Sequence, residues 1–301
     1  MHIPVLLEES TRLLLNERSS GIYIDATLGG GGTTEKILEQ LDCNGRVISI
    51  DQDAKAIESA SRRLQPYSNF TVVKENFRAL DQILEGLDIR GIDGIIADLG
   101  ISSMHVDDES RGFGFRSNSR LDMRMDPQGP NSSAYDLIMN LDENSLKTIF
   151  WELGEERWAG RIASRIVETR RSKAIETPAE LAKLVEEAVP KKFHPRRIHP
   201  ATRIFLALRI KVNDELESLR EFMDKAVGFL NPGGRIVVIS YHSLEDRIVK
   251  WKFRHFAALP DSNFKIITKR PMIPTEEETH ENPRARSAKM RVAEKNQGGV
   301  V

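Results

Sequence analysis

Tyr23-Ile24-Asp25-Ala26-Thr27-Leu28-Gly29-Gly30-Gly31-Gly32-Thr33-Thr34 decides how the chain is read. A short apolar run ends at Asp25, glycines fill positions 29 to 32, and Thr33-Thr34 open a stretch in which Ile37, Leu38 and Leu41 share one helical face. The pattern is strand, glycine loop, helix. Glycines there let the backbone turn sharply and let a ligand approach with no Cβ in the way. The helix start adds unpaired N–H groups and the positive end of a dipole, which suits a nucleotide-like ligand. The plain alternative is a glycine-rich surface turn, and the strand and helix patterns on either side count against it.

Three ligand classes compete for such a loop. A P-loop needs Lys and then Ser or Thr after its last glycine, and Thr33-Thr34-Glu35 does not supply them. A dinucleotide fingerprint can start at Gly29 and Gly31, but its third glycine position is occupied by Thr34. The spacing Asp25, Thr27, Gly29, Gly31 looks like the first motif of the class I methyltransferases that use S-adenosylmethionine. In that reading the Asp25 carboxylate faces the amino end of the methionine part through the loop.

Outward from the loop, strands and helices alternate. An N-terminal helix is expected over 5–17. Gly45–Asp51 is a second strand with an acid at its end, at the distance from the glycines where such folds place the acid that grips ribose hydroxyls. Two acceptor oxygens suit a cis-diol. Asp53 is a plausible cap for the next helix. Phe70–Val73 is a third strand, after which Phe77 lies either against an adenine ring or in the core, with Asn76 near the ring edge. Ile92–Asp98 is a fourth, fully buried strand. Ligands of open α/β sheets sit beyond the carboxyl ends of the strands, so Asp98 points at the reaction centre.

The alternation then stops. From 104 to 208 no strong strand is found, and helices are expected over Leu137–Leu153, Arg157–Arg170 and Pro178–Ala188. This predicts a discontinuous domain, 1–103 with 209–301, interrupted by a helical insertion. The insertion is rich in Arg and Lys, most of them ordinary solvated charges, Arg111 and Arg124 among them. The run from Lys191 to His199, with Lys192, Arg196 and Arg197 in it and Phe193 among its charges, is denser and suits phosphate contact and stacking on an unpaired base. Beyond it, Asp214–Leu230 reads as a helix closed by the stop signal Asn231-Pro232-Gly233-Gly234. Arg235–Ser240 is a fifth strand. It leads into Tyr241-His242-Ser243-Leu244-Glu245-Asp246, where Ser240 and His242 are candidates for substrate contact and His242 is equally a candidate for holding the loop. Phe264–Thr268 and Ala288–Val292 are expected to form an antiparallel pair, Glu276-Glu277-Glu278 an exposed loop, and Asn282–Ser287 a basic addition to an RNA surface.

Composition sets the outer limits. The 301 residues hold ample core, and 40% apolar with 30% charged residues reads as soluble and globular. No apolar run approaches membrane-spanning length. The start Met1-His2-Ile3-Pro4 lacks signal character, so a cytoplasmic protein is expected. The single Cys43 rules out an internal disulfide and a cysteine-rich zinc site, and seven scattered histidines suggest no metal site. A net charge of −1 means that any nucleic-acid binding must come from local basic patches.

Seven stretches, in order across nearly the whole chain, carry a specific resemblance: YIDATLGGGGTTEKIL, ADLGISSMHVDD, RGFGFR with LDMRMD, EERWAGRIASRIV, HPATRIFLALRIKVNDEL, GGRIVVISYHSLEDRIVK and NPRARSAKMRVAEK. Together they resemble the bacterial ribosomal RNA small subunit methyltransferase H family. The resemblance implies a class I, Rossmann-like, mostly parallel sheet with an inserted all-helical substrate-recognition domain. It implies methyl transfer from S-adenosylmethionine to the exocyclic N4 of one cytidine in the decoding region of 16S rRNA, in the 30S subunit or a late assembly particle. The family's cofactor positions carry over to Gly31, Gly32, Thr33, Asp51, Phe77, Asp98 and His105. Thr33 stands where the family commonly has His, and His105 where it commonly has Gln; both can still hydrogen-bond. The sequence leaves open whether naked rRNA or an assembled particle is the substrate, and whether the chain is a monomer or a homodimer.

The implied chemistry makes demands that the residues can meet. Cytosine's exocyclic amine is a poor nucleophile because its lone pair is delocalised into the ring. An enzyme must aim that amine at the methyl group and accept its hydrogen bonds while the lone pair develops. Asp98 and the carbonyls of Leu99 and Gly100 are the expected acceptors, by analogy with amino-methyltransferases in which prolines follow the acid or amide. The target base must be unpaired or extruded. Two rival readings are a small-molecule methyltransferase or dinucleotide enzyme on the same sheet, and a non-catalytic RNA-binding assembly factor with a vestigial pocket.

Overall fold

The computed structural model describes residues 4–102, 105, 107–195, 198–259 and 263–296. The chain divides into two compact units, Met1–Gly100 with Leu216–Val301 and Ile101–Glu215, the second slightly wider than the span without strands in the sequence.

The first unit is built on a seven-stranded sheet. Its strands are β1 (Gly21–Asp25), β2 (Gly45–Asp51), β3 (Phe70–Lys74), β4 (Ile92–Asp98), β5 (Leu230–Ser240), β6 (Phe264–Ile266) and β7 (Lys289–Lys295). They lie in the order β3-β2-β1-β4-β5-β7-β6. The first five are paired in parallel, and β7 runs against both of its neighbours. This is the class I S-adenosylmethionine-dependent methyltransferase fold. Strand order reverses beside β1, between β2 and β4, so the crevice that such sheets use for ligands opens at the carboxyl ends of β1 and β4.

Two-residue alternation of apolar side chains explains the layers. Ile24, Ile48, Ile50, Ile95 and Val238 join one core, with Phe222 and Phe253 from covering helices. Tyr23, Val47, Ile96, Val237 and Ile239 join the core on the opposite face, with Leu14, Ile37 and Leu64. Each fully buried side chain of this size contributes about 1.5–3 kcal/mol relative to exposure. Burial on both faces accounts for the unbroken apolar runs of β4 and β5. Asp53 caps the helix Ala54–Leu64, its carboxylate accepting from the Lys55 N–H at 2.9 Å.

Three local expectations are corrected. The span 137–153 is two helices, Ala134–Asn140 and Glu143–Glu152, because Asp142 caps the second by accepting from the Ser145 N–H at 2.8 Å. Residues 276–281 form a helix capped by Thr275, and Glu278 accepts a bond from the Leu6 N–H at 2.7 Å. Asn231–Gly234 ends the preceding helix as expected, yet lies within β5, where the register with β4 shifts between Ile92 and Gly94.

The second unit is helical among its described residues, with its own core around Phe150, Ile162, Leu181 and Leu208. Several of its basic residues are internal. Arg111 is buried, and its guanidinium donates to the carbonyls of Arg124 (2.9 Å) and Met125 (2.8 Å). Arg124 pairs with Asp122 through two N–H groups. The RGFGFR and LDMRMD stretches are thereby tied to each other. Buried Asn213 extends the tie, accepting from the Met125 N–H at 2.7 Å and donating to the Met123 carbonyl at 2.8 Å. No helix among the described residues is long and apolar enough to cross a membrane.

Candidate cofactor and active site

The glycine loop is held from beneath. Asp25 is buried at the end of β1, accepting from the Thr27 N–H at 3.1 Å and the Thr34 hydroxyl at 2.7 Å. Thr34 in turn meets the Ser49 hydroxyl at 2.8 Å. The Asp25 carboxylate therefore braces the loop from inside, which corrects the expectation that it faces the ligand. Burial pushes its carboxyl up to about 6, against the hydrogen bonds from Thr34 and Thr27.

Gly29 and Gly31 adopt positive φ (50° and 78°), and Gly31 is the left-handed residue preceding the helix Gly32–Leu38. A Cβ on Gly31 would come within 3.0 Å of the Ala60 Cβ, and one on Gly32 within 2.7 Å of the Pro4 ring. Gly30 differs, since a Cβ there meets nothing within 4 Å. Gly31 and Gly32 thus serve packing, whereas Gly30 leaves open space above the loop. Thr33 is buried at the helix start.

Asp51, at the end of β2, accepts from the Gly29 N–H (2.9 Å) on one oxygen and the Asp53 N–H (2.8 Å) on the other. These bonds fix the loop to the end of β2. Phe77, past β3, is half-buried and meets Phe222 edge to face, with centroids 5.2 Å apart. Asn76 caps the short turn that Phe77 begins and donates to Gln52 at 3.2 Å.

Asp98 ends β4, its N–H donating to the Thr27 hydroxyl at 2.7 Å. Its carboxylate accepts from the Tyr241 hydroxyl at 2.8 Å. Burial pushes the Asp98 carboxyl up to about 7, opposed by the Tyr241 bond and helped by the charges of Asp25 and Glu245. The Tyr241 hydroxyl is itself pushed far above its usual range, by burial first and then by Asp98. A largely buried carboxyl poised near neutrality at a strand end, in the crevice of the sheet, can accept a proton or a hydrogen bond from a substrate amine.

The other expected residues fall in several places. Ser240 is buried, its hydroxyl donating to the Lys289 carbonyl at 3.3 Å, so the structure gives it a sheet role rather than a substrate contact. His242 caps the helix Ser243–Ala258: its Nδ1 accepts from the Glu245 N–H at 3.4 Å, and its Nε2 lies 3.1 Å from Glu245 Oε1. Of its two sequence readings, the loop-holding one is what the structure displays. His105, in the second unit, is buried, with Nδ1 near the Ser102 N–H (3.2 Å) and hydroxyl (3.1 Å). Lys191 and Lys192 are exposed in a short turn ending at Phe193, over whose ring the Arg157 guanidinium (4.8 Å) and the Lys192 ammonium (5.0 Å) both sit. Phe193 also lines a cleft of about 300 Å³ with Trp158, Ile198 and Arg203. Arg196 and Arg197 lie outside the described residues.

Sequence reasoning missed Tyr241, Thr27 and Glu245 as supports of the site. Glu245 is buried and accepts from the N–H groups of Tyr241 (2.8 Å) and His242 (3.2 Å), fixing the loop that presents the Tyr241 hydroxyl. The available signal was that Tyr241 follows the strand that pairs with β4.

The chain matches one protein family and many of its members over nearly its whole length. The model of the MraW methylase family matches residues 1–296. The ribosomal RNA small subunit methyltransferase H of Halothermothrix orenii is 46% identical over 307 residues, covering 98% of both chains. The protein of the same name from Carboxydothermus hydrogenoformans is 46% identical over 308 residues, covering 98% of this chain and 97% of its own. An rRNA methylase from Streptococcus thermophilus superposes with a TM-score of 0.47 at 13% identity, over 99% of this chain and 100% of that one.

Proposed function

The chain belongs to the MraW methylase family, and on that premise we propose that it transfers a methyl group from S-adenosylmethionine to the exocyclic N4 of one cytidine in the decoding region of 16S rRNA. The substrate is the 30S subunit or a late assembly particle, met in the cytoplasm. The observation that carries the reading is Asp98: a carboxyl pushed up to about 7, bonded to Tyr241, at the strand end beside the glycine loop.

The residues present fit the cofactor. Asp51 offers acceptors to its ribose, the open space above Gly30 admits it without a Cβ clash, and Phe77 offers a ring edge near its base. When bound, S-adenosylmethionine supplies an electrophilic methyl on a cationic sulfonium. The Asp98 carboxyl, lifted by burial, is better ionised with a cation nearby. A positive ligand lowers the Asp98 pKa and so favours the ionised form that accepts from the cytosine amine. Asp98 and the Leu99 and Gly100 carbonyls then orient the amine and draw its N–H bonds toward themselves. Tyr241 holds the Asp98 carboxylate in place and keeps part of it charged. Lys191, Lys192, Arg196 and Arg197 supply phosphate contacts for the RNA, and His105 belongs to the cofactor set.

The test is methylation of 30S subunits that lack this modification, with labelled S-adenosylmethionine and mass mapping of the product nucleotide. Label on the N4 of one decoding-region cytidine, abolished by Asp98→Ala, supports the proposal. Transfer to a different atom or nucleotide, or unchanged transfer by Asp98→Ala, overturns the assigned target or the assigned residue respectively.

A further inference from the structure

Tyr241 has two sides. Its hydroxyl is spent on Asp98, and its side chain also walls a pocket of about 690 Å³ that contains neither Asp98 nor the glycine loop. The same pocket is lined by Ser243, Ile273, Thr275, Arg286 and Lys289. It is large enough for a nucleotide, whose ligand pockets usually fall between about 300 and 1,000 Å³.

Its chemistry is that of a nucleotide site. Arg286 is exposed and has no carboxylate partner among the described residues. Lys289 stands 3.7 Å from Asp246, but that carboxylate is already held by Arg291 at 2.6 Å, so the Lys289 charge is only partly offset. Glu276 also lines the pocket and opposes these cations, and His280 lies beside it. The balance of Arg286 and Lys289 against Glu276 is positive in a protein whose net charge is −1. Exposed Ile273, Pro274 and the Tyr241 ring supply an apolar wall suited to a base face.

We infer that this pocket holds a nucleotide of the substrate RNA directly flanking the target, its phosphate taken by Arg286 and Lys289 and its base lying toward Ile273 and Tyr241. The inference rests on the proposed RNA methylation. Enzymes that take a base out of its strand must also grip the neighbouring nucleotides, which set sequence context. Sharing Tyr241 between the two sites links that grip to the acceptor, because a nucleotide seated against the Tyr241 ring bears on the side chain that holds Asp98. Arg286 is thus a substrate-positioning residue.

The experiment measures two quantities that do not depend on each other. One is equilibrium binding of a fluorescent single-stranded oligoribonucleotide, spanning the decoding-region sequence, to the full-length protein over a series of salt concentrations. The other is methyl transfer to 30S subunits, from which KM for the particle, KM for S-adenosylmethionine and the single-turnover rate are obtained. Arg286→Ala is expected to weaken oligonucleotide binding about tenfold, the scale of one charge-assisted contact. It should also reduce the slope of log K against log salt by about 0.7, the value for one phosphate on a single strand. KM for the particle rises similarly, while KM for S-adenosylmethionine stays unchanged. Arg286→Lys restores the salt slope but not the full affinity, because a phosphate fork is lost.

An unchanged affinity and slope in Arg286→Ala overturns the inference, as does failure of the parent protein to bind the oligonucleotide. Weakened binding to the particle with unchanged oligonucleotide binding also overturns it, and points instead to an acidic ribosomal protein as the occupant. If the parent binds RNA but transfers no methyl group, the proposed function falls, and the binding series still judges the pocket. Arg286 is exposed, so folding of its variants is not at risk.

Discussion

Tyr241→Phe isolates one bond, the 2.8 Å contact between the tyrosine hydroxyl and the Asp98 carboxylate. The ring remains to fill its space, so the change is electrostatic. A hydrogen bond to a charged group is worth about 1.5–3 kcal/mol, and 1.36 kcal/mol is one pKa unit, so its loss raises the Asp98 pKa by about 1–2 units. In the parent protein that pKa is about 7, so half of the carboxyl is ionised at pH 7. In the variant only about 1–10% is ionised at that pH, which predicts a fall in the chemical rate of about five- to fifty-fold. The assay is single-turnover methyl transfer at saturating 30S subunits and S-adenosylmethionine, followed from about pH 6 to pH 9. The parent rate should rise through an apparent pKa near 7 or below it, because the bound cationic cofactor lowers that of Asp98. The variant's rise should sit about 1–2 units higher, with the lost rate largely recovered at the alkaline end. A loss of rate that is equal at every pH would refute the reasoning, since Tyr241 would then act by placing groups and not by keeping Asp98 ionised.

The glycine loop, the buried acid and the insertion each yield a further measurement. Gly30→Ala should leave the melting temperature unchanged, because its Cβ meets nothing within 4 Å, while weakening S-adenosylmethionine binding about tenfold or more in calorimetry. Gly31→Ala should instead destabilise by about 1–3 kcal/mol in denaturant unfolding, since it combines a φ of 78° with a 3.0 Å approach to Ala60. Asp25 has a folded pKa raised from 3.8 to about 6, so its stabilising contribution is full below the lower value and lost as pH rises through the higher. Asp25→Asn should therefore gain on the parent protein between about pH 4 and pH 6, by up to about 3 kcal/mol, and hold a constant advantage above; a stability difference that does not change with pH would show that Asp25 is not protonated in the fold. Asn213→Ala should cost about 2–4 kcal/mol, seen in proteolysis confined to the unit Ile101–Glu215, because it removes bonds to Met123 and Met125.

What could be read from the sequence divides by the range of the interaction that creates it. The glycine loop, the strand-end acids Asp51 and Asp98, and the cap at Asp53 are local: residue type and spacing over a few positions determine them. The break before Asp142 was equally local, and Asp142-Asn144-Ser145 carries the signal, but an apolar period running across it hid the cap. The fate of the charges was not local. Arg111, Arg124 and Arg209 look like surface cations in the sequence, yet each is bonded within the second unit, Arg209 to Glu215 through two contacts of 2.8 Å.

The Asp98–Tyr241 pair shows what would have been needed. The two residues are 143 positions apart, and no pattern within either strand joins them. Pairing of β4 with β5 sets Asp98 beside Ile239, so Tyr241 comes just two residues beyond the register partner, where the chain leaves the sheet. Once β5 is known to neighbour β4, a polar residue at that offset becomes a candidate partner for the acid. The same step explains the placement of Asp25. It ends β1, and its register partners Ser49 and Ile96 enclose it on both sides, so its carboxylate is turned to Thr34 within the fold. Asp98 lies two residues beyond Ile96, the register partner of Asp25, so it stands past the end of β1 and its carboxylate meets Tyr241. Two acids at the ends of adjacent strands thus take different roles, one bracing the loop and one bonded to the residue that follows β5, and the register of the strands makes the difference.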